Sequence, residues 1–135
     1  MIVDTSALLA YFNAREPDHE AVSGVIDIND ELLVVSPYVL AELDYLIAKR
    51  VGVDDELAVL RELSSGAWEL AVVGVAELEL TTSIIEKYSD QDIGLSDASM
   101  VALADRYQTR TIVTLDRRHF DVLRPIGGGR FSIRP

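Results

Sequence analysis

Short runs of β-branched and other apolar residues alternate with longer segments of helical periodicity along the whole chain, a pattern that restricts the fold to an α/β domain with a mostly parallel sheet. Ile2-Val3 reads as the first strand, Leu32 to Val35 as the second, Trp68 to Val73 as the third and Thr111 to Thr114 as the fourth; Phe131 to Ile133 is expected as a short fifth at an edge. Between them the periodicity predicts helices over residues 5–14, 17–28, 37–50, 54–64, 75–88 and 96–108. Several helix starts carry a signal: Ser36-Pro37 supplies a cap and a first-turn proline, Asp54 precedes a helical run, and Ser96 precedes Asp97. With 135 residues and no linker, repeat or low-complexity tract, a single domain over residues 1–135 is expected. Gly127-Gly128-Gly129 reads as a mobile turn before the last strand. It is not a phosphate loop, since no Lys-Ser/Thr follows it.

Four acidic residues stand at the ends of separate predicted elements with apolar flanks: Asp4, Glu42, Asp97 and Asp116. Apolar flanks should draw them inward, and a buried carboxylate needs a partner. In an open parallel sheet ligands bind beyond the carboxyl ends of the strands, where strand order reverses, and Asp4 and Asp116 each follow a strand. For Asp4 the competing reading is a helix N-cap. Glu42 borders the stripe Val39, Leu43, Leu46 and Ile47, where a solvated side chain is the ordinary outcome, and Asp44 is expected to face more toward solvent. Asp97 is the most informative, because Met100, Val101 and Ala104 place it on a buried stripe where capping by Ser96 would leave it without a structural task. Asp90 and Asp92 are further candidates, with loop solvation as the default.

With no cysteine, any metal site must be built from oxygen or histidine. Clustered carboxylates repel one another unless a cation intervenes. Mg²⁺ or Mn²⁺ takes hard oxygen ligands, keeps several waters and, in phosphodiester displacement, activates a water and offsets developing charge. A net charge of −11 argues against a nucleic-acid partner, yet residues 106 to 135 carry +5 and the remainder −16, which would put arginines beside a cation-dependent site. Arg117 and Arg118 directly follow Asp116, where they could hold a phosphate; surface solvation competes about equally. His119, next to Phe120, could serve as a general acid, but metal-dependent hydrolysis does not require one and a packed or surface histidine is the plainer reading; His19 follows Pro17-Asp18 at a helix start and has no functional signal. Tyr38 and Tyr45 share a helical face with Glu42 and could stack on bases or meet a partner, with core packing or a dimer contact as the plainer reading. No basic region precedes a long apolar run, and no uncharged stretch reaches the length of a membrane span, so a cytoplasmic protein is expected.

Four segments together, Ile2-Val3-Asp4-Thr5-Ser6-Ala7-Leu8-Leu9-Ala10, Ser36-Pro37-Tyr38-Val39-Leu40-Ala41-Glu42-Leu43, Gly94-Leu95-Ser96-Asp97-Ala98-Ser99 and Thr114-Leu115-Asp116-Arg117-Arg118-His119-Phe120, resemble PIN-domain proteins of the bacterial VapC toxin type, in the family's order from residue 1 to about 125. The resemblance implies a three-layer PIN-like fold and a Mg²⁺- or Mn²⁺-dependent endoribonuclease. In it Asp4, Glu42, Asp97 and Asp116 form the acidic, metal-holding pocket, and Thr5, Ser6 and Thr114 support it by hydrogen bonds. It further implies a homodimeric toxin masked by a cognate VapB-type antitoxin. Helices from 54 to 88 match least, which bears on substrate and partner choice rather than chemistry.

Two phosphate-handling alternatives fit less well. A haloacid-dehalogenase phosphatase would need a second Asp where Ser6 stands, and a receiver domain would need a Lys after the fourth strand, where Arg117 and Arg118 stand. The non-enzymatic alternative is a catalytically silent PIN-like module that binds metal and a partner without turnover.

Overall fold

In the computed structural model, which describes all of residues 1–135, five short strands form one all-parallel sheet flanked by seven helices. The strands are β1 (Ile2–Val3), β2 (Val34–Val35), β3 (Glu69–Leu70), β4 (Thr111–Val113) and β5 (Ser132–Arg134). The helices are α1 (Thr5–Phe12), α2 (His19–Ile26), α3 (Pro37–Arg50), α4 (Val53–Leu63), α5 (Val75–Lys87), α6 (Leu95–Arg106) and α7 (Arg117–Phe120). No helix is long and apolar enough to cross a membrane.

Strand order is β3-β2-β1-β4-β5. The chain steps outward from β1 through β2 to β3, then returns to lay β4 on the other side of β1, pairing Ile2 with Ile112 and Val3 with Val113. Strand order therefore reverses between β1 and β4, and the crevice beyond their carboxyl ends is where an open α/β sheet binds its ligand. Each central strand is apolar throughout, as burial on both faces requires: Ile2, Val3, Val34, Val35, Ile112 and Val113 are all buried. Thirty buried apolar residues form one continuous cluster, with α6 contributing every residue from Ala98 to Ala104 except the hydroxyl-bearing Ser99, which is itself buried.

The strands are shorter than the apolar runs suggest. Leu32 is exposed, and beyond Leu70 the edge strand β3 has β2 as its single neighbour, so pairing stops once Ala71 N–H has reached Val35 O (3.0 Å). The fifth strand lies one residue later than expected, because Phe131 is drawn into the core against Phe120, with ring centroids 6.2 Å apart, and leaves Ser132 to pair with Thr111.

Two helix starts differ from expectation. Asp54 lies inside the first turn of α4 behind Gly52, and Ser96 lies inside the first turn of α6 behind Gly94, so glycines occupy both cap positions. Ser36 caps α3 as expected, accepting from Tyr38 N–H at 3.3 Å. Gly128 and Gly129 both have positive φ (83° and 85°), a conformation glycine adopts freely, and Gly128 N–H donates to Pro125 O at 3.0 Å. The triple glycine is thus a defined turn.

Candidate active site

Asp4 follows β1 and opens α1, yet its side chain makes no cap bond. It accepts instead from two hydroxyls, Thr114 Oγ1 at 2.7 Å and Ser6 Oγ at 2.8 Å, both on Oδ2. A hydroxyl has one proton, so each of these is committed to Asp4, and the oxygens accept backbone N–H groups in turn: Leu115 N–H reaches Ser6 Oγ (3.0 Å) and Asp116 N–H reaches Thr114 Oγ1 (3.0 Å). The two central strands are therefore clasped at their carboxyl ends through one carboxylate. Asp4 is only 8% exposed and has no ion-pair partner, which leaves a buried carboxyl group supported by neutral donors alone.

Asp97 sits in the first turn of α6 and is half-buried. Burial raises its pKa; the His119 ring, 2.9 Å away through Nδ1, opposes that, and Asp4 adds to it, so the carboxyl stands above the ordinary aspartate range on balance. Glu42, on α3, is exposed and is steered by Thr5, whose hydroxyl donates to Glu42 Oε2 at 3.1 Å. Asp116 is also exposed; it caps α7, accepting from Arg118 N–H at 3.2 Å. The expectation that all four acids are drawn inward therefore holds for Asp4 and partly for Asp97. Glu42 and Asp116 lie on solvent-facing positions because the cavity they border is open.

One cavity of about 450 Å³ is lined by Asp4, Glu42, Asp97 and Asp116 together, with Thr5 and Ser6 on its wall. Four separate elements thus present carboxyl groups to a single opening at the β1/β4 reversal. Thr114 stands behind it, fully buried, acting on Asp4. Asp92 also lines the cavity, held with φ of +54°, whereas Asp90 lines only the neighbouring one. The donors are hard oxygens, the chemistry that Mg²⁺ or Mn²⁺ selects. No three of the carboxyl groups stand close enough to make a ready-built ion cage.

Other expected neighbours lie elsewhere. Arg117 donates to Pro135 O (2.8 Å) and Arg118 faces an adjoining cavity, so neither borders the acidic one. Of the seven arginines from 106 onward, only Arg118 lines a cavity next to the acids; the basic segment as a whole does not flank the site. Tyr38 is half-buried and Tyr45 is 57% exposed beneath Lys49 Nζ, and neither lines the cavity. Asp44, expected to face solvent, is half-buried on the side of α3 against which α4 packs, and its closeness to Glu56 of α4 pushes the Glu56 carboxyl above its usual range.

Three features escaped the sequence reading. His119 holds Asp97; its neighbour Phe120 suggested packing, and only the unforeseen α7 turns the ring toward α6. Arg50, at the last turn of α3, lines the cavity. Ser36 and Ser99, both buried, join hydroxyl to hydroxyl at 2.7 Å, and Ser99 Oγ donates to Ser96 O, which fixes the start of α3, and hence Glu42, against the start of α6 and Asp97.

A PIN-domain profile matches residues 1–124. Ribonuclease VapC26 of Mycobacterium tuberculosis is 70% identical over 135 residues, the whole length of both chains. Among solved structures, VapC20 of M. tuberculosis, a sarcin–ricin loop cleaving toxin, has a TM-score of 0.84 at 19% identity and covers 99% of this chain and 98% of its own. The DNA-bound VapBC complex of Salmonella typhimurium gives a TM-score of 0.72 at 21% identity, over 98% of this chain and 96% of the other. At such low identity these two speak to the fold alone. Profile and full-length identity together make this chain a member of the PIN-domain family, of the VapC type.

Proposed function

We propose that the protein, as one PIN domain over residues 1–135, is a cytoplasmic, divalent-metal-dependent endoribonuclease and the toxin of a type II toxin–antitoxin pair. The observation that carries the reading is the convergence of Asp4, Glu42, Asp97 and Asp116, from four elements, on one open cavity at the sheet's reversal point. The full-length identity to Ribonuclease VapC26 supports RNA as the substrate.

In this reading Asp4 and Asp97, the buried and half-buried acids whose charges already act on one another, hold Mg²⁺ or Mn²⁺, with Glu42 and Asp116 completing the acidic wall. When bound, the ion lowers the pKa of a water and neutralises charge that develops on the phosphoryl oxygens. Ser6 and Thr114 fix the Asp4 carboxyl by taking up one of its oxygens, and Thr5 orients Glu42. His119 orients Asp97 through its 2.9 Å contact.

A cognate VapB-type antitoxin as inhibitor and a homodimeric toxin belong to the same reading, supported by the VapC family type and by the VapBC complexes that share the fold. Sedimentation equilibrium is expected to give a dimer mass at micromolar concentration; a monomer throughout would remove that part.

A second reading, a metal-binding interaction module without turnover, would use the same four acids around the same cavity. Calorimetric titration with Mg²⁺ or Mn²⁺, beside an RNA cleavage assay with an EDTA control, separates the two. Asp97→Asn is expected to lower cleavage by at least about a hundredfold while leaving the fold intact. Sequencing of RNA ends after brief induction in cells, with Asp97→Asn as control, identifies the target. Ion binding without cleavage would establish the module instead.

A further inference from the structure

We propose that RNA crosses the acidic cavity between two guanidinium groups, Arg50 on one side and Arg118 on the other, which hold the phosphates flanking the bond to be cut. This rests on the nuclease reading above and adds the path of the strand.

A chain of net charge −11 that presents carboxyl groups at its site must still attract a polyanion, and a cation at the centre neutralises only its immediate surroundings. Cations are therefore required along the approach, and most of those in the protein are committed elsewhere. Arg106 pairs with Glu77 and donates to Val72 O; Arg117 and Arg124 donate to backbone carbonyls; Arg110 packs against Gly129. Lys49 and Lys87 lie over the rings of Tyr45 and Tyr88. The side chains of Arg50 and Arg118 make neither an ion pair nor a hydrogen bond, and both are exposed. Arg15, Arg61, Arg130 and Arg134 are free as well, but none borders the acidic cavity or the two that adjoin it.

The placement of the two free arginines follows the cavities. A mixed cleft between α1, α3 and α4, lined by Asn13, Glu16 and Asp55 beside apolar residues, shares Leu9 and Arg50 with the acidic cavity. A second neighbour of about 240 Å³, lined by Arg118 and Gln91 among others, shares Asp92 and His119 with it. The two neighbours have no residue in common, so they adjoin the acidic cavity at different walls. A strand running from one neighbour to the other passes over Asp4 and Asp97 and meets a guanidinium before and after them. Arginine suits the task because its planar fork binds phosphate oxygens in pairs and stays charged at any working pH. Neither residue pairs with the acids, so both are assigned to binding rather than to the chemical step.

The test uses Arg50→Gln, Arg118→Gln and the double variant, with Arg61→Gln as a control for diffuse charge and thermal melts to establish folding. Binding of a fluorescein-labelled single-stranded RNA of mixed sequence is measured by anisotropy in the cleavage-deficient Asp97→Asn background with Mg²⁺, across a salt series. Each substitution is expected to weaken binding about tenfold and to reduce the salt slope by about 0.7, the value for one phosphate contact on a single strand. In the active background KM is expected to rise about tenfold with kcat within about twofold, Arg→Lys to recover part of the loss, and Arg61→Gln to change nothing. If the unsubstituted protein binds and cuts RNA while both Gln variants match it, or if kcat falls with KM unchanged, the path is wrong and the nuclease reading stands. If the unsubstituted protein neither binds nor cuts RNA, the nuclease reading fails and the path with it.

Discussion

At the residue scale, Asp97 is a carboxyl group kept at a cost. Its raised pKa means that the folded protein favours its protonated form, so its stabilising contribution is full below the ordinary aspartate range and is lost as pH rises through the raised folded-state value. At neutral pH the ionised side chain therefore works against the fold, in a wall it shares with Asp4. Asp97→Asn cannot ionise, and its amide oxygen can still accept from His119. Its thermal midpoint in EDTA is expected to exceed that of the unsubstituted protein at about pH 7 and to match it at about pH 3, the gap closing across the aspartate titration range. Scanning calorimetry at the two values checks this; an equal gap at both would show that packing, not charge, separates the two proteins. The acid was legible in the sequence because an Asp on the stripe of Met100, Val101 and Ala104 has no structural task there. Arg50 was not, since a basic residue in the last turn of a helix already has an adequate explanation in the helix dipole.

At the element scale, what arranges the site is the way helix starts are tied to one another. Ser36 and Ser99 are buried polar groups joined hydroxyl to hydroxyl, Ser99 donating on to Ser96 O and Ser36 accepting from Tyr38 N–H, and between them they hold α3 against α6. Ser99→Ala removes the acceptor of the Ser36 hydroxyl proton inside the core, while the Ser36 oxygen still accepts from Tyr38 N–H; a loss of about 1–3 kcal/mol is expected from chemical denaturation, with cleavage reduced because Glu42 and Asp97 lose their common reference. A loss under about 0.5 kcal/mol would mean that Ser36 finds another partner. The elements themselves were largely readable: six helices fall within a few residues of their periodic segments, and β5 takes the edge expected of it. Strand lengths were not readable, because apolar runs record burial, whereas strand ends record where a neighbour stops. The short α7 was missed for a related reason. Four residues contain too little periodicity to register, and the turn exists because Asp116 caps it and Phe120 anchors it in the core.

At the scale of the whole molecule, topology decides which acids can meet. Asp4 and Asp116 are separated by most of the chain but follow adjacent strands, since β4 returns to the side of β1 that β2 leaves open. The sequence signalled which segments are strands and which carry acids; it did not signal their order across the sheet, which depends on helix packing between distant parts. The general rule for reversal points supplied the location, and the open cavity explains why two of the acids remain wet. The C-terminal arginines show the opposite case, in which proximity along the chain misled: most of that segment's charge is spent on carbonyls and loops away from the acids.

The hydroxyl clasp between Asp4 and Thr114 has a consequence for how this polypeptide is made. Its β1 strand is translated long before β4, the neighbour that seals it, and before the threonine that steadies the first acid. A product halted at residue 110 is expected to lack both cooperative unfolding by circular dichroism and any nuclease activity, so that interrupted synthesis yields harmless fragments; a folded, RNA-cutting fragment would show that the late strand is dispensable.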